Sequence, residues 1–339
     1  MGNFPWGGER HYNSYASYFK DRYGARMQKL SVDAGFTCPN RGSNRNFGGC
    51  TFCNNEAFNP SYCSPSKPIA QQIDEGIAFH EHRYRNASDY LAYFQAYSNT
   101  YAPVEVLRSK YNEALSHPSV KGLVIATRPD CVDEKKLDMI AELSKTKYVA
   151  IEYGIESCYD TTLKAVHRGH DFSATRRALE QTAARGIHCG GHLILGLPGE
   201  NRAMMMHEAA MINETPLEMI KLHQLQILKG SAMERQMKSA AARNEKDDTW
   251  GLHRGFELGE YVELVCDFLE RLRPDIMIGR LAGEVPPRHQ ACPQRSWRRA
   301  DGRLLRNEEI PQLVEKEFQR RNSCQGSALV LQNNNNRTL

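Results

Sequence analysis

The chain has 339 residues, 40% of them hydrophobic and 25% charged, a balance that excludes a disordered or fibrous protein and allows one large domain or two small ones. Lysine plus arginine number 44 against 40 acidic residues, and a net charge of +4 on so long a chain does not by itself imply nucleic acid. No uncharged apolar run approaches the ~18 residues of a membrane span, and the start Met1-Gly2-Asn3-Phe4-Pro5-Trp6 lacks the features of a signal peptide or a myristoylation signal. The expectation is a cytoplasmic protein with no membrane partner.

Residues 1–26 read as an N-terminal arm. Tyr12, Tyr15, Tyr18, Phe19 and Tyr23 are spaced for an amphipathic helix packed on the body, a reading preferred to an RNA-stacking surface. Residues 27–285 read as the core. Apolar, β-branched segments at 29–36, 90–97, 122–127, 148–155, 187–197, 219–228 and 276–281 predict strands. Helix-period stretches at 68–84, 104–116, 134–144, 174–185, 203–213 and 258–272 alternate with them. This rhythm predicts an α/β fold, a partial (β/α)6-type barrel, with a doubly wound open sheet as the alternative. Residues 286–325 form a C-terminal extension in which Arg288, Arg295, Arg298, Arg299, Arg303 and Arg306 surround Trp297. It is the best candidate for phosphate contact, although Asp301, Glu308 and Glu309 dilute its charge and favour a solvated surface. Residues 326–339, with the tract Asn333 to Asn336, are expected to be disordered.

Parallel α/β folds bind ligands at the carboxyl ends of their strands. Here those ends carry Thr37-Cys38-Pro39-Asn40, Ser98-Asn99-Thr100, Thr127-Arg128-Pro129-Asp130, Gly154-Ile155-Glu156-Ser157 and Gly196-Leu197-Pro198-Gly199-Glu200. Any one of them also suits a turn or a helix cap.

Of ten cysteines, Cys38, Cys50, Cys53 and Cys63 fall within 26 residues, and in a reducing compartment such a cluster points to a metal rather than disulfides. Cys38, Cys50 and Cys53 form C-x11-C-x2-C, with Gly48 and Gly49 ahead of the second and Phe52 ahead of the third. Thiolates suit iron–sulfur clusters and zinc alike. With Cys63 the set becomes C-x11-C-x2-C-x9-C, which could close a tetrahedral zinc site in a binding module without redox chemistry. Otherwise Cys63 is a buried or loop thiol. Cys131, Cys158, Cys189, Cys266, Cys292 and Cys324 read as core thiols, with Cys158 and Cys189 also candidates for a hydrogen-atom donor or a covalent site.

Over residues 29–228 these motifs resemble the radical S-adenosylmethionine (radical SAM) superfamily. The wide cysteine spacing is similar to the elongator-related branch and, more closely, to its YhcC/YtqA-like group. The resemblance implies a [4Fe-4S] cluster on Cys38, Cys50 and Cys53, with one iron open to the methionine moiety of S-adenosylmethionine. It places Phe52 near the adenine, Glu156 at the ribose and Arg168, twelve residues on, at the methionine carboxylate. Guanidinium–carboxylate pairing gives that last role a physical basis. His192 stands where relatives often have aspartate, and Arg128 ends strand three as in the elongator branch. The Gly-Gly-Glu expected after strand two is replaced by Phe94-Gln95-Ala96-Tyr97-Ser98-Asn99-Thr100, so Ser98 or Asn99 would accept from the methionine amine. The implied chemistry is reductive cleavage to a 5′-deoxyadenosyl radical, fed by a flavodoxin- or ferredoxin-type reductant. The implied substrate is a tRNA wobble uridine, with a small metabolite or porphyrin precursor as the alternative.

Overall fold

Seven parallel strands follow one another across a single sheet in chain order, β1 (Met27–Val32), β2 (Asp89–Phe94), β3 (Val120–Thr127), β4 (Tyr148–Glu156), β5 (His188–Leu195), β6 (Met219–Gln224) and β7 (Met277–Arg280). This computed structural model describes residues 4–24, 27–42, 48–81, 89–242, 255–292 and 297–329. A doubly wound sheet reverses its strand order at a switch point. Here the order runs from β1 to β7 without reversal, so right-handed crossovers place the connecting helices on one face and the sheet forms a half-barrel. Each of the seven segments expected as strands overlaps one, so the half-barrel has one strand more than the six anticipated.

The crossovers carry α2 (Ile69–Glu81), α3 (Val104–Leu115), α4 (Glu134–Ser144), α5 (Asp160–Ala165), α6 (Phe172–Ala183), α7 (Arg202–Asn213), α8 (Ala232–Ala242) and α9 (Leu258–Glu270), after α1 (Tyr15–Tyr23) in the arm. Side-chain caps fix several starts: Asp133, Asp171 and Asn201 each accept from a backbone N–H in the first helical turn, at 3.0, 2.8 and 3.0 Å. The alternation of β4 shows how the layers divide. Val149, Ile151, Tyr153 and Ile155 pack with Leu137, Ile140 and Leu179 in the main core behind the sheet. Tyr148 and Ala150 lie on the other face, in a smaller cluster with Leu91, Val124, Met219, Tyr15 and Phe19. The arm helix α1 thus closes the amino-terminal end of the half-barrel, with Phe19 edge-on to Tyr148 at 5.1 Å.

The chain ends meet over β7. Asn13 accepts from the backbone N–H of Ile278 at 2.7 Å, and His11 from that of Gln325 at 2.9 Å. The terminal helix α10 (Ile310–Arg321) buries Ile310, Val314 and Phe318, and Arg321 Nη1 on it reaches Asp267 of α9 at 2.6 Å.

The extension does not form a basic stripe among its described residues. Arg299 pairs with Glu309 at 2.7 Å, Arg303 with Asp301 at 2.6 Å and Arg306 with Glu308 at 3.4 Å. Trp297 donates to the carbonyl of Phe256 at 2.8 Å and packs 5.0 Å from the Tyr261 ring. Arg295 lies outside the described residues, as do residues 330–339 of the expected tail.

The β3–β4 contact is tight at Gly122, where a Cβ would meet the Tyr148 carbonyl oxygen at 2.1 Å. Backbone cannot swing aside as a flexible side chain can. Gly122→Ala is expected to lower stability by about 1–3 kcal/mol in urea unfolding, and an unchanged midpoint would show that the two strands can separate at no cost.

Candidate active site

The first βα loop leaves β1 through a turn in which Gly35, at φ +84°, donates to Asp33 Oδ1 at 3.0 Å. It then carries Cys38, Cys50 and Cys53 to the carboxyl end of the sheet. A second turn, after α5, holds it there. Asn40 Nδ2 donates to the carbonyls of His167 and Arg168 at 2.6 and 3.1 Å, and the backbone N–H of Thr51 donates to Val166 at 3.0 Å. Gly49 has φ +98°, a backbone conformation that favours glycine.

The three thiols face one cavity of about 250 Å³. Its lining at this end includes Cys38, Cys50, Phe52, Cys53, Arg128, Glu156 and Arg168. Cys50 Sγ lies 3.5 Å from both Asn40 Nδ2 and Arg168 Nη1. Cys53 Sγ lies 3.4 Å from Asn55 Nδ2 and 3.6 Å from Arg41 Nη2. Burial, reinforced by the charge of Cys50, pushes the Cys53 thiol up to about 11.

Arg168 ties the elements together. Its Nη2 donates to the carbonyl of Gly154 at 2.6 Å and sits 3.3 Å from Glu156 Oε1, and both side chains are largely buried. The pair crosses directly over Gly154, whose Cβ would lie 2.4 Å from each of them. Glu156 has φ +67° at a point where the β4–β5 register shifts. Such strain in a non-glycine residue is characteristic of a side chain aimed by its surroundings. Burial raises the Glu156 carboxyl, and the charges of Arg168 and Arg128 oppose the rise. Arg128 makes a bidentate pair with Asp130 at 2.8 and 2.7 Å, leaving its buried Nη1 without a partner.

Other expected residues are placed differently. His192 lines the cavity deeper in, where its Nε2 meets Glu152 Oε2 at 3.0 Å. Ser98 and Asn99 are fully buried and do not line the cavity. Asn99 Nδ2 donates to the carbonyls of Phe94 and Ala126 at 2.9 and 2.8 Å, and Ser98 Oγ accepts from the backbone N–H of Arg128 at 3.1 Å. They lock the ends of β2 and β3, while Gln95 and Tyr97 of the same segment face the cavity. Cys158 and Cys189 lie in the core behind the sheet, and the Cys189 thiol donates to the carbonyl of Pro216 at 3.0 Å. Neither reaches the cavity. Cys63 donates to the carbonyl of Ser31 at 3.0 Å, and burial pushes its thiol up to about 12. It too is absent from the cavity wall, and the zinc set that requires it does not assemble.

The floor was missed by the motif reading. Glu152, fully buried in β4, accepts from Lys29 Nζ of β1 at 2.7 Å and Lys221 Nζ of β6 at 2.5 Å, as well as from His192 of β5. Burial alone would raise this carboxyl, but Lys221, Lys29 and the His192 bond hold it well below the usual carboxylate range. Tyr93, His223, Gln224 and Arg280 complete the floor. A signal was available in the sequence, since a glutamate inside the otherwise apolar run of β4 needs buried partners.

A model of the radical SAM superfamily matches residues 38–212, and one of the Radical_SAM C-terminal domain matches residues 217–307. The chain belongs to the radical SAM superfamily. It is 32% identical over 324 residues to the uncharacterized protein YtqA of Bacillus subtilis, covering 95% of this chain and 94% of that protein. A stretch of 127 residues, 37% of this chain and 23% of the relative, is 30% identical to the tRNA uridine(34) acetyltransferase of Methanocaldococcus infernus. The solved structure of the archaeal Methanocaldococcus infernus Elp3 shares the fold with a TM-score of 0.59 at 16% identity, over 88% of this chain and 64% of that one.

The cofactors of this radical SAM chain are a [4Fe-4S] cluster and S-adenosylmethionine, and the residues fit them. Among the described residues no three histidine, cysteine or carboxylate side chains converge as ligands of a single ion would. A cubane carries each thiolate on a separate iron, which suits thiols set apart around one cavity end. The N–H groups beside Cys50 and Cys53 are of the kind that stabilise cluster thiolates, and metal binding supplies the deprotonation that the free Cys53 thiol resists.

Next to this site, the Gly-Leu-Pro-Gly-Glu turn places Glu200 Oε1 2.5 Å from Ser157 Oγ, and Glu208 of α7 accepts from the backbone N–H of Cys158 at 2.8 Å. Each carboxyl has one buried oxygen without a partner. Burial pushes Glu200 up to about 7 from an ordinary 4.5, against the hydrogen bonds from Ser157 and Thr162. Because the folded state holds this proton more tightly than the unfolded one, the contribution of Glu200 to stability is full below pH 4.5 and is lost as pH rises through about 7. Glu200→Gln is therefore expected to flatten that decline in denaturant unfolding measured from pH 5 to 8, gaining on the order of 1 kcal/mol at the upper end. A variant as pH-dependent as the parent would show that the proton is not held there.

Proposed function

We propose that this chain cleaves S-adenosylmethionine reductively at the carboxyl end of its half-barrel and acts on a substrate held in the same cavity. The observation that carries the reading is that Cys38, Cys50 and Cys53 share one wall with Arg168 and Glu156, two charged groups held over Gly154. When bound, the cluster and S-adenosylmethionine supply one-electron cleavage to methionine and a 5′-deoxyadenosyl radical that abstracts hydrogen.

The chain's own residues bind and orient. Arg168 receives the methionine carboxylate, and Glu156 turns to the ribose. Phe52, packed with Val166, Leu197, Ile227 and Met233, flanks the adenine. Gln95, which faces the cavity where Ser98 and Asn99 do not, accepts from the methionine amine. Phe58, Tyr97, Leu225 and Leu228 exclude water from the chamber. A flavodoxin- or ferredoxin-type partner delivers the electron.

Anaerobically prepared protein is expected to be brown and, with dithionite, to release 5′-deoxyadenosine. Alanine at Cys38, Cys50 or Cys53 should remove the iron, and a colourless parent holding zinc would overturn the assignment. Arg168→Ala should keep its iron while binding S-adenosylmethionine roughly 10- to 100-fold more weakly, as loss of a charged hydrogen bond implies.

For the substrate we propose a tRNA wobble uridine, supported by the partial likeness to a tRNA uridine(34) acetyltransferase. A small metabolite is a second reading, favoured by the self-paired arginines of the extension. Nucleoside mass spectrometry of bulk tRNA with and without the gene separates them: a missing modified uridine supports the first, an unchanged profile the second.

A further inference from the structure

The floor of the cavity holds more positive than negative charge. Glu152 is its one carboxylate, and Lys29, Lys221 and Arg280 stand around it. The two lysines are spent on Glu152. Arg280 has no carboxylate partner among the described residues, yet it lies close enough to His192, His223 and Lys221 for its charge to act on all three. Arg280 is exposed to solvent where it lines the cavity, so water answers its charge and an anion entering the cavity can exchange with that water for the guanidinium's planar set of donors.

The imidazoles add direction. His192 Nε2 donates to the ionised Glu152, which leaves Nδ1 as an acceptor. Burial and the Lys221 charge hold His192 at about 4, so the ring is neutral near pH 7. His223 stands beside it, ring centroids 5.4 Å apart, and its Nε2 is shielded from solvent with no hydrogen-bond partner. Buried ring nitrogens are ordinarily satisfied. An open one in a cavity wall marks a place that a ligand atom fills. Space is kept for this arrangement by Gly283, where a Cβ would come within 3.0 Å of His223 Nδ1.

We propose that Arg280 and His223 form an oxyanion subsite at the cavity floor, which receives a carboxylate or phosphate group of the substrate while His192 Nδ1 accepts from a neighbouring donor on it. Glu152 acts beneath as a positioning residue, holding His192 and the two lysines. This inference rests on the reading of the cavity as a substrate chamber. It implies an acidic substrate, and the oxyanion comes either from a free small acid or from a nucleotide phosphate.

The test is calorimetric titration of the full chain, reconstituted with its cluster and saturated with S-adenosylmethionine. The probes are succinate, inorganic phosphate, uridine 5′-monophosphate and, as a neutral control, succinamide. At least one anionic probe is expected to bind saturably and succinamide not to bind. Preference for succinate identifies a free acid, and preference for the nucleotide over inorganic phosphate identifies the second source. Arg280→Gln should weaken the preferred probe tenfold or more, with Arg280→Lys recovering part of the loss. His223→Phe should weaken it without altering the circular dichroism spectrum. Binding of all anions equally well by Arg280→Gln, or no binding of any by the parent, would overturn the subsite. If the parent binds S-adenosylmethionine but no anion, only the subsite fails. If it does not bind S-adenosylmethionine, the reading of the chamber itself fails.

Discussion

The buried carboxylate of Glu152 is the constraint around which the concave face is organised. In a half-barrel the inner face cannot be covered by crossover helices, which all lie behind the sheet, so its side chains must fill the interior or line a chamber. Here both happen in layers. The lowest layer is apolar and is closed by Tyr15 and Phe19 of the arm helix. Above it Glu152 draws in Lys29, Lys221 and His192 from three other strands. A carboxylate removed from water is costly unless it is fully paired, and three donors from β1, β5 and β6 supply that pairing. The same contacts fix where those strands sit relative to β4. Register and interior polarity are therefore set by one side chain.

The upper end is organised by a second charged contact, with a different logic. Arg168 and Glu156 meet over Gly154 while Arg168 also reaches Cys50. The guanidinium is thereby shared between the cysteine loop, the end of β4 and the turn after α5. On the proposed assignment, a ligand carboxylate competes with Glu156 for it rather than displacing solvent. That lowers the penalty of keeping an arginine buried before the ligand arrives and leaves Glu156 available for a neutral hydroxyl once it does. Strain at Glu156, held in the left-handed region, belongs to this arrangement, since a relaxed strand would turn the carboxyl to the opposite face.

Much of this was readable in the sequence, for identifiable reasons. Strand positions followed from runs such as 122–127 and 148–155, whose near-continuous apolar character is what burial on both faces demands. Their ends were less legible. The fifth segment was expected to run to residue 197, but the strand stops at Leu195 because Gly196 turns at φ +84°. The cysteine loop, Arg168 and Glu156 came from motif spacing, which records residues that must meet. Ser98 and Asn99 misled because their side chains offer acceptors on paper, whereas the fold spends them on the backbone of β2 and β3. Cys158 and Cys189 misled because proximity to a strand end does not say which face a side chain takes. The floor was missed because it has no local spacing. Lys29, Glu152 and His223 join the expected His192 only through register, the four residues lying on the four strands β1, β4, β5 and β6.

Register also explains why the two ends of the chamber differ in charge. At the upper end, Arg168 is matched by Glu156 and Arg128 by Asp130. At the floor, Glu152 is outnumbered by cations, and Arg280 on the edge strand β7 has no carboxylate partner among the described residues. The extension that follows β7 neutralises its own arginines internally, so its paired charges add little to the field within. The positive end of the chamber is therefore a property of the half-barrel itself. On the proposed reading, a ligand's negative group meets Arg280 at the floor, where no described carboxylate competes for the guanidinium as Glu156 does for Arg168.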